Sequence, residues 1–363
     1  MIRDDNIKGF VLPAVLVASL LILLLILSAY SAVTMDVKIY SLYHEKKQLR
    51  EDLKSAMLLY CMDSVVCAAG DSAEIVLFDN QEPVKILSRR HGLYEIVEVS
   101  NKYPDKYAVM TGRRCESYDT AALWLCDRNR ALSLAADARV EGILHMPLNG
   151  INYTQIESRY YSGDKIDESM LRISSKELPD VDSSILDYAG NLCRKNDGFV
   201  ELAASVRDTV ISARTVKVRS GFKGSVQIFA TDSVLIESGA VMEYPSGVYV
   251  DSGYGRPYVC LEKGAEVNGY VIVMSEDPDS HLRYPSYIHR KGAQLAGLLY
   301  VDGTCNIEGE IKGAAYIKDC YSYVNRKIYA CTMYDSKIAR SDTFAFPVFM
   351  KGPYERKIIK KIH

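Results

Sequence analysis

From Gly9 to Val33 the chain carries no charged side chain, reading GFVLPAVLVASLLILLLILSAYSAV. As a helix rising about 1.5 Å per residue, this run outspans the roughly 30 Å hydrocarbon core of a bilayer. Inside lipid every backbone amide must pair within its own segment, so the run predicts a spanning helix. Pro13 sits near its start, where a missing N–H costs little. Residues 34–60 contain neither Gly nor Pro. Leu42, Leu49, Leu53, Met57 and Tyr60 recur there at helical spacing among Glu45, Lys46, Lys47, Arg50 and Lys54. The pattern predicts one rod over 10–60, lipid-embedded in its first half and amphipathic in its second.

The period then changes from helical to alternating. AEIVLFD, VKILS, LYEIVEVS and YAVMTG, within residues 71–112, read as short strands separated by NQEP, RRHG and NKYPDK. Arg89–Gly92 reads as a hairpin loop. A small α+β meander unit over 61–129 is expected, with His91 in a turn.

Further on, a nine-residue pattern recurs: small, x, aliphatic, x, Gly, x, apolar, x, aliphatic. Its copies start at Ala138, Ala265, Ala293 and Gly309, and centre on Gly142, Gly269, Gly297 and Gly313. Shorter echoes occur at Val216/Val218, Val226/Ile228 and Val234/Ile236. Alternation marks strands with one buried face, and a fixed Gly in that row marks a bend or a close neighbouring backbone. Recurrence at irregular intervals predicts a parallel β-solenoid (β-helix)-like domain over 130–347, followed by a basic, solvated tail over 348–363. An antiparallel sandwich is the alternative. The fold class expected is therefore mainly β, with an N-terminal transmembrane rod.

The alternate face of these strands starts polar, with Arg139, Glu141, Glu266, Asn268, Gln294, Glu310 and Lys312. It ends apolar and aromatic, with Ile143, Tyr270, Ile272, Leu298, Tyr300, Ala314 and Tyr316. Exposed apolar stripes of this length are uncommon on monomers. Ile143, Tyr270, Leu298, Tyr300 and Tyr316 are thus a candidate interaction stripe, to be covered by a helix of the same chain, by the loop 146–196, or by another protomer.

Ile7-Lys8-Gly9-Phe10, a polar leader over 1–9 and a long apolar helix with an amphipathic extension resemble type IV prepilins and pseudopilins. The resemblance covers about 55 residues. It implies cleavage between Gly9 and Phe10 and assembly with other pilin-like subunits. Major subunits of that family carry Glu at the fifth mature position, where this chain has Ala14. A plain signal anchor or a cleaved secretory signal would share the apolar run; the only small-x-small site near its end is Ala29-Tyr30-Ser31. The glycine-centred segments resemble, in pattern, the β-helix rungs of bactofilin-type polymers and of envelope solenoids.

The basic residues flank the helix unevenly: Arg3 and Lys8 before it, and Lys38, Lys46, Lys47, Arg50 and Lys54 after it. A literal count puts the C-terminal side inside. The short leader before a long folded body puts the body outside, and that orientation is adopted, in a bacterial inner membrane with lipid as a partner.

The 363 residues carry a formal net charge of −2, which gives no basic field for nucleic acid. The chain lacks Gly-x-Ser-x-Gly, P-loop, HExxH and dinucleotide motifs, so no catalytic residue, cofactor or metal ligand is assigned. Asp277, Asp279, His281 and His289 share a polar stretch where a metal site is conceivable, although a solvated loop is the simpler expectation. Nine cysteines is an odd count. Cys61/Cys67 and Cys115/Cys126 could pair in an oxidising compartment; Cys305, Cys320 and Cys331 form a third local group, and none has CxxC spacing. The expectation is a membrane-anchored envelope protein with a structural or interaction role. The alternatives are a β-helix protein that binds or cleaves polysaccharide, and a membrane-tethered cytoplasmic scaffold.

Overall fold

A computed structural model describes residues 11–62, 70–77, 83–101, 106–114, 121–253, 255–275, 285–352 and 355–362. Its first element, α1 (Val11–Cys61), is one unbroken helix of 51 residues. It is long and apolar enough to cross a membrane, with a mean hydropathy of 2.8 in its most apolar stretch. Large apolar side chains from Leu12 to Leu27 are exposed along it. Only the last turns dock. Leu53, Ala56, Met57, Tyr60 and Cys61 follow the helical repeat and are buried against Val84, Ile86, Val97, Val99 and Val109.

That platform is an antiparallel sheet of β1 (Ser72–Ile75), β2 (Val84–His91), β3 (Tyr94–Ser100) and β4 (Lys106–Arg113) in sequential order. The β2–β3 turn is tighter than the sequence suggests. His91 pairs with Tyr94, so Arg89, Arg90 and His91 are strand residues and only Gly92 and Leu93 make the turn.

The remaining elements, taking those the argument uses, are β5 (Ala121–Leu125), β6 (Ile143–Met146), β7 (Leu171–Ile173), α2 (Ser183–Cys193), β8 (Phe199–Leu202), β9 (Thr209–Val218), β10 (Val226–Ile236), β11 (Val241–Asp251), β12 (Glu266–Met274), β13 (Gln294–Ile307), β14 (Glu310–Val324), β15 (Lys327–Ala330) and β16 (Arg356–Ile362). The larger sheet has the spatial order β7–β6–β5–β14–β13–β12–β11–β10–β9–β8, and neighbours along it run parallel. Val216, Val234, Val259, Val271, Leu299 and Ile317 point into one continuous buried core. Gly269, Gly297 and Gly313 stand directly opposite one another. Gly142 lies at the start of β6, beyond β14 and next to Arg340 and Ala122. Ala121–Leu125 already pairs with β14 and β6 in this sheet.

Chain order and spatial order differ at one point. The strands of 121–173 stack on β14, at the far end from β8. The chain must therefore return along the ladder between β7 and β8, across nine strand spacings, or about 43 Å at roughly 4.8 Å each. α2 lies on that return. The N-cap Asp182 accepts from Ser184 N at 2.9 Å, and Ile185, Ala189, Leu192 and Cys193 are buried on the sheet face.

The basic tail is not a solvated end. β16 pairs antiparallel with β4, from Arg356 opposite Arg113 to Ile362 opposite Ala108, and so completes the small sheet. An unpaired β4 edge would leave a row of buried-side amides without partners, which is the physical reason the tail is recruited. Gln227 joins the two sheets. Its amide accepts from Leu93 N at 2.9 Å and donates to His91 O at 2.9 Å, gripping the β2–β3 turn, while Tyr270 Oη donates to the same Oε1 at 2.8 Å. Gly92 suits this turn, with φ +61°, and a Cβ there would lie 2.1 Å from Gln227 Oε1 and displace the amide from its grip.

Candidate functional site

The strand ends beside α2 build a groove of about 720 Å³. Register explains its composition. Val273, Val301, Ile317 and Leu125 are aligned across β12, β13, β14 and β5. Asp251 stands opposite Met274, and the next residues along β13 and β14 are Asp302 and Lys318, so the wall presents three charged side chains interrupted by Met274. The facing side of α2 contributes Asp187, Asn191 and Arg194.

Lys318 Nζ and Asp302 Oδ1 form a close ion pair with side chains 19% and 25% exposed. Asp251 Oδ1 accepts from Gly253 N at 3.1 Å, which holds the carboxylate at the strand end. Two thiols lie next to this wall, and neither is a poised nucleophile. Burial pushes both Cys193 and Cys126 up to about 12, with Asp251 adding to the effect at Cys193. No group of three or more metal-ligating side chains occurs among the described residues. The groove therefore offers carboxylate, amide, guanidinium and ammonium groups to a polar ligand, and no activated nucleophile among those described.

The predicted stripe does not face outward. Tyr270, Leu298, Tyr300 and Tyr316 are 0–4% exposed, in one cluster with α2, Tyr94 and the segment 346–350. Phe349 packs edge-on to Tyr300 at 5.1 Å between ring centroids, and Tyr300 Oη donates to Pro179 O at 3.3 Å. The cover comes from this chain itself, so these side chains offer no exposed interaction surface. The reason is topological: the return crossing and the C-terminal segment have to run over this face. Ile143 is half-buried and lies outside that cluster. Gly9 and Phe10 lie outside the described residues, as do Asp277, Asp279 and His281. Cys61 and Cys126 are free thiols, and their suggested partners Cys67 and Cys115 are also outside the described residues.

His289 is a core residue instead of a loop ligand. Its Nε2 lies 2.9 Å from Ala293 O, an atom that can only accept, so Nε2 carries the proton and Nδ1 accepts from Tyr287 Oη at 2.8 Å. Burial lowers its pKa from 6.5 to about 4. Below pH 6.5 the unfolded chain takes up a proton that the native protein refuses, so stability falls with pH until about pH 4. The expected loss is about 3 kcal/mol. Urea titrations between pH 7 and pH 4 should show this extra slope in the wild type and lose it in His289→Gln; equal slopes would contradict the assignment.

No protein-family model, no curated protein and no solved structure matches this chain.

Proposed function

We propose that this protein is a single-pass, membrane-anchored structural or interaction module of a bacterial cell envelope, with its β body held outside the cytoplasm as a β-solenoid. The observation that carries the reading is the contrast along α1. Its apolar residues from Leu12 to Leu27 have no protein cover, whereas Leu53 to Cys61 are locked into the small sheet. Such a helix is stable in water only if lipid or other subunits cover it. The solenoid reading is supported by the parallel in-register stacking and the single continuous core. A pilin-like cut after Gly9 would leave the apolar helix at the new N-terminus.

The test is fractionation of the full chain expressed in bacteria. The protein is expected in membranes after alkaline extraction, with its body digested by protease added outside the inner membrane. N-terminal sequencing then separates an end at Phe10 from an intact Met1. Release by alkaline extraction would refute the anchor, and protection of the body would favour the tethered cytoplasmic scaffold.

The groove favours a second reading, a polysaccharide-binding module, because its mixed carboxylate, amide and cationic lining suits hydroxyl-rich ligands. Retention on immobilised envelope polysaccharide, lost in Asn191→Ala with Arg194→Ala, would support it.

A further inference from the structure

We propose that Cys320 and Cys331 are a disulfide-forming pair that pins the joint where the out-of-order strands meet. This goes beyond the functional reading and does not depend on which side of the membrane the body occupies. β14 and β15 form an antiparallel hairpin in which Tyr321 pairs with Ala330, so Cys320 and Cys331 are the next facing residues. Cys331 N donates to Cys320 O at 2.7 Å. Cys320 N donates to Asp319 Oδ1 instead of returning a second bond, and Cys331 has φ +49°, so the pair stands at the irregular end of the hairpin, where a disulfide needs Cα atoms roughly 4.4–6.8 Å apart.

A third thiol, Cys305, lies beside Cys320 on β13, and all three are buried. The thiols differ in their surroundings. Cys305 Sγ donates to Asp319 O at 3.4 Å and Cys331 Sγ to Arg130 O at 3.9 Å, whereas the neighbouring Cys331 thiol pushes the Cys320 pKa up. Cys331 is also at the joint itself. It precedes the strand Thr332–Tyr334, which pairs with Leu132–Ala135, and its carbonyl accepts from Ser133 N at 2.9 Å. A covalent link here would fasten the C-terminal part of the ladder to the strands of 121–173.

The step is thiol–disulfide exchange with a low-molecular-weight disulfide such as oxidised glutathione. The Cys331 thiolate attacks one glutathione sulfur, forming a mixed disulfide and expelling one glutathione thiolate. The Cys320 thiol then loses its proton and attacks the Cys331 sulfur, expelling the second glutathione. Two cysteine thiols lose two electrons and two protons, and one glutathione disulfide becomes two thiols.

The test uses the full chain in detergent, held in glutathione buffers from reducing to oxidising, then acid-quenched, denatured, alkylated with a maleimide and mapped by mass spectrometry. The expected result is a Cys320–Cys331 cross-linked peptide, lighter by two hydrogens, with Cys305 alkylated. The same link should persist in Cys305→Ser. A Cys305–Cys320 link, glutathione adducts alone, or full alkylation of all three thiols under oxidising buffer would overturn the proposal.

Discussion

Gly297→Ala is expected to abolish folding of the β body. A Cβ at this position would lie 1.8 Å from Gly269 O, and φ is +137°, a region that side-chain-bearing residues rarely adopt. The clashing atom is backbone on an adjacent, hydrogen-bonded strand, so relief would require separating the two strands. The same conflict repeats above and below. A Cβ at Gly313 would meet Gly297 O at 1.9 Å, and one at Gly269 would meet Ser246 O at 1.8 Å. Clash and strain together should exceed about 4 kcal/mol, a large part of the roughly 5–15 kcal/mol that holds a typical domain. Gly239→Ala supplies the control. It also has positive φ, at +77°, but nothing lies within 4 Å of its added Cβ. That change should cost only about 1–2 kcal/mol. Yield of protease-resistant protein and urea midpoints would compare the two. A folded Gly297→Ala protein with a midpoint near that of Gly239→Ala would contradict the packing described.

The second large effect is expected at the base of α1. Arg356 Nε and Glu95 Oε2 are 3.0 Å apart, with side chains 9% and 7% exposed. The Arg356 guanidinium also lies 4.3 Å from the Tyr60 ring centroid, and Tyr60 Oη donates to Ser88 Oγ at 3.0 Å. One buried pair thus ties β16, β3 and the end of α1. Arg356→Ala would leave the Glu95 carboxylate buried beside its lost cation, at an expected cost of about 3–5 kcal/mol. Replacing both partners, as Arg356→Met with Glu95→Met, should recover much of that loss, because no charge is then stranded. Urea unfolding of the single and double variants would measure it. Because the pair is buried, the loss should change little between low and high salt. A single-variant cost below about 1 kcal/mol would place the pair among exposed ion pairs and contradict this account.

The local half of this architecture was legible because its causes are local. An uncharged run followed by apolar residues at helical spacing has one low-energy backbone answer, and α1 occupies Val11–Cys61 accordingly. Alternation around Gly269, Gly297 and Gly313 marked strands whose glycines meet a neighbouring backbone, and those glycines face each other. The groove was not legible. Asp251, Asp302 and Lys318 look like ordinary polar residues until register places them on one wall, and α2 carried no signal that it would face them.

By itself the sequence determined the spanning-length helix, the strand-rich body and the need for cover over the aromatic stripe. Each follows from which side chains can tolerate water within a few residues of one another. Only the tertiary structure decided that strands 121–173 stack beyond β14, that β16 completes the small sheet and that Pro179 and Phe349 cover Tyr300. Parallel neighbours are joined by backbone hydrogen bonds that are nearly indifferent to side-chain identity. Which distant strand becomes the neighbour is therefore set by the closure of the whole core, and no local pattern encodes it.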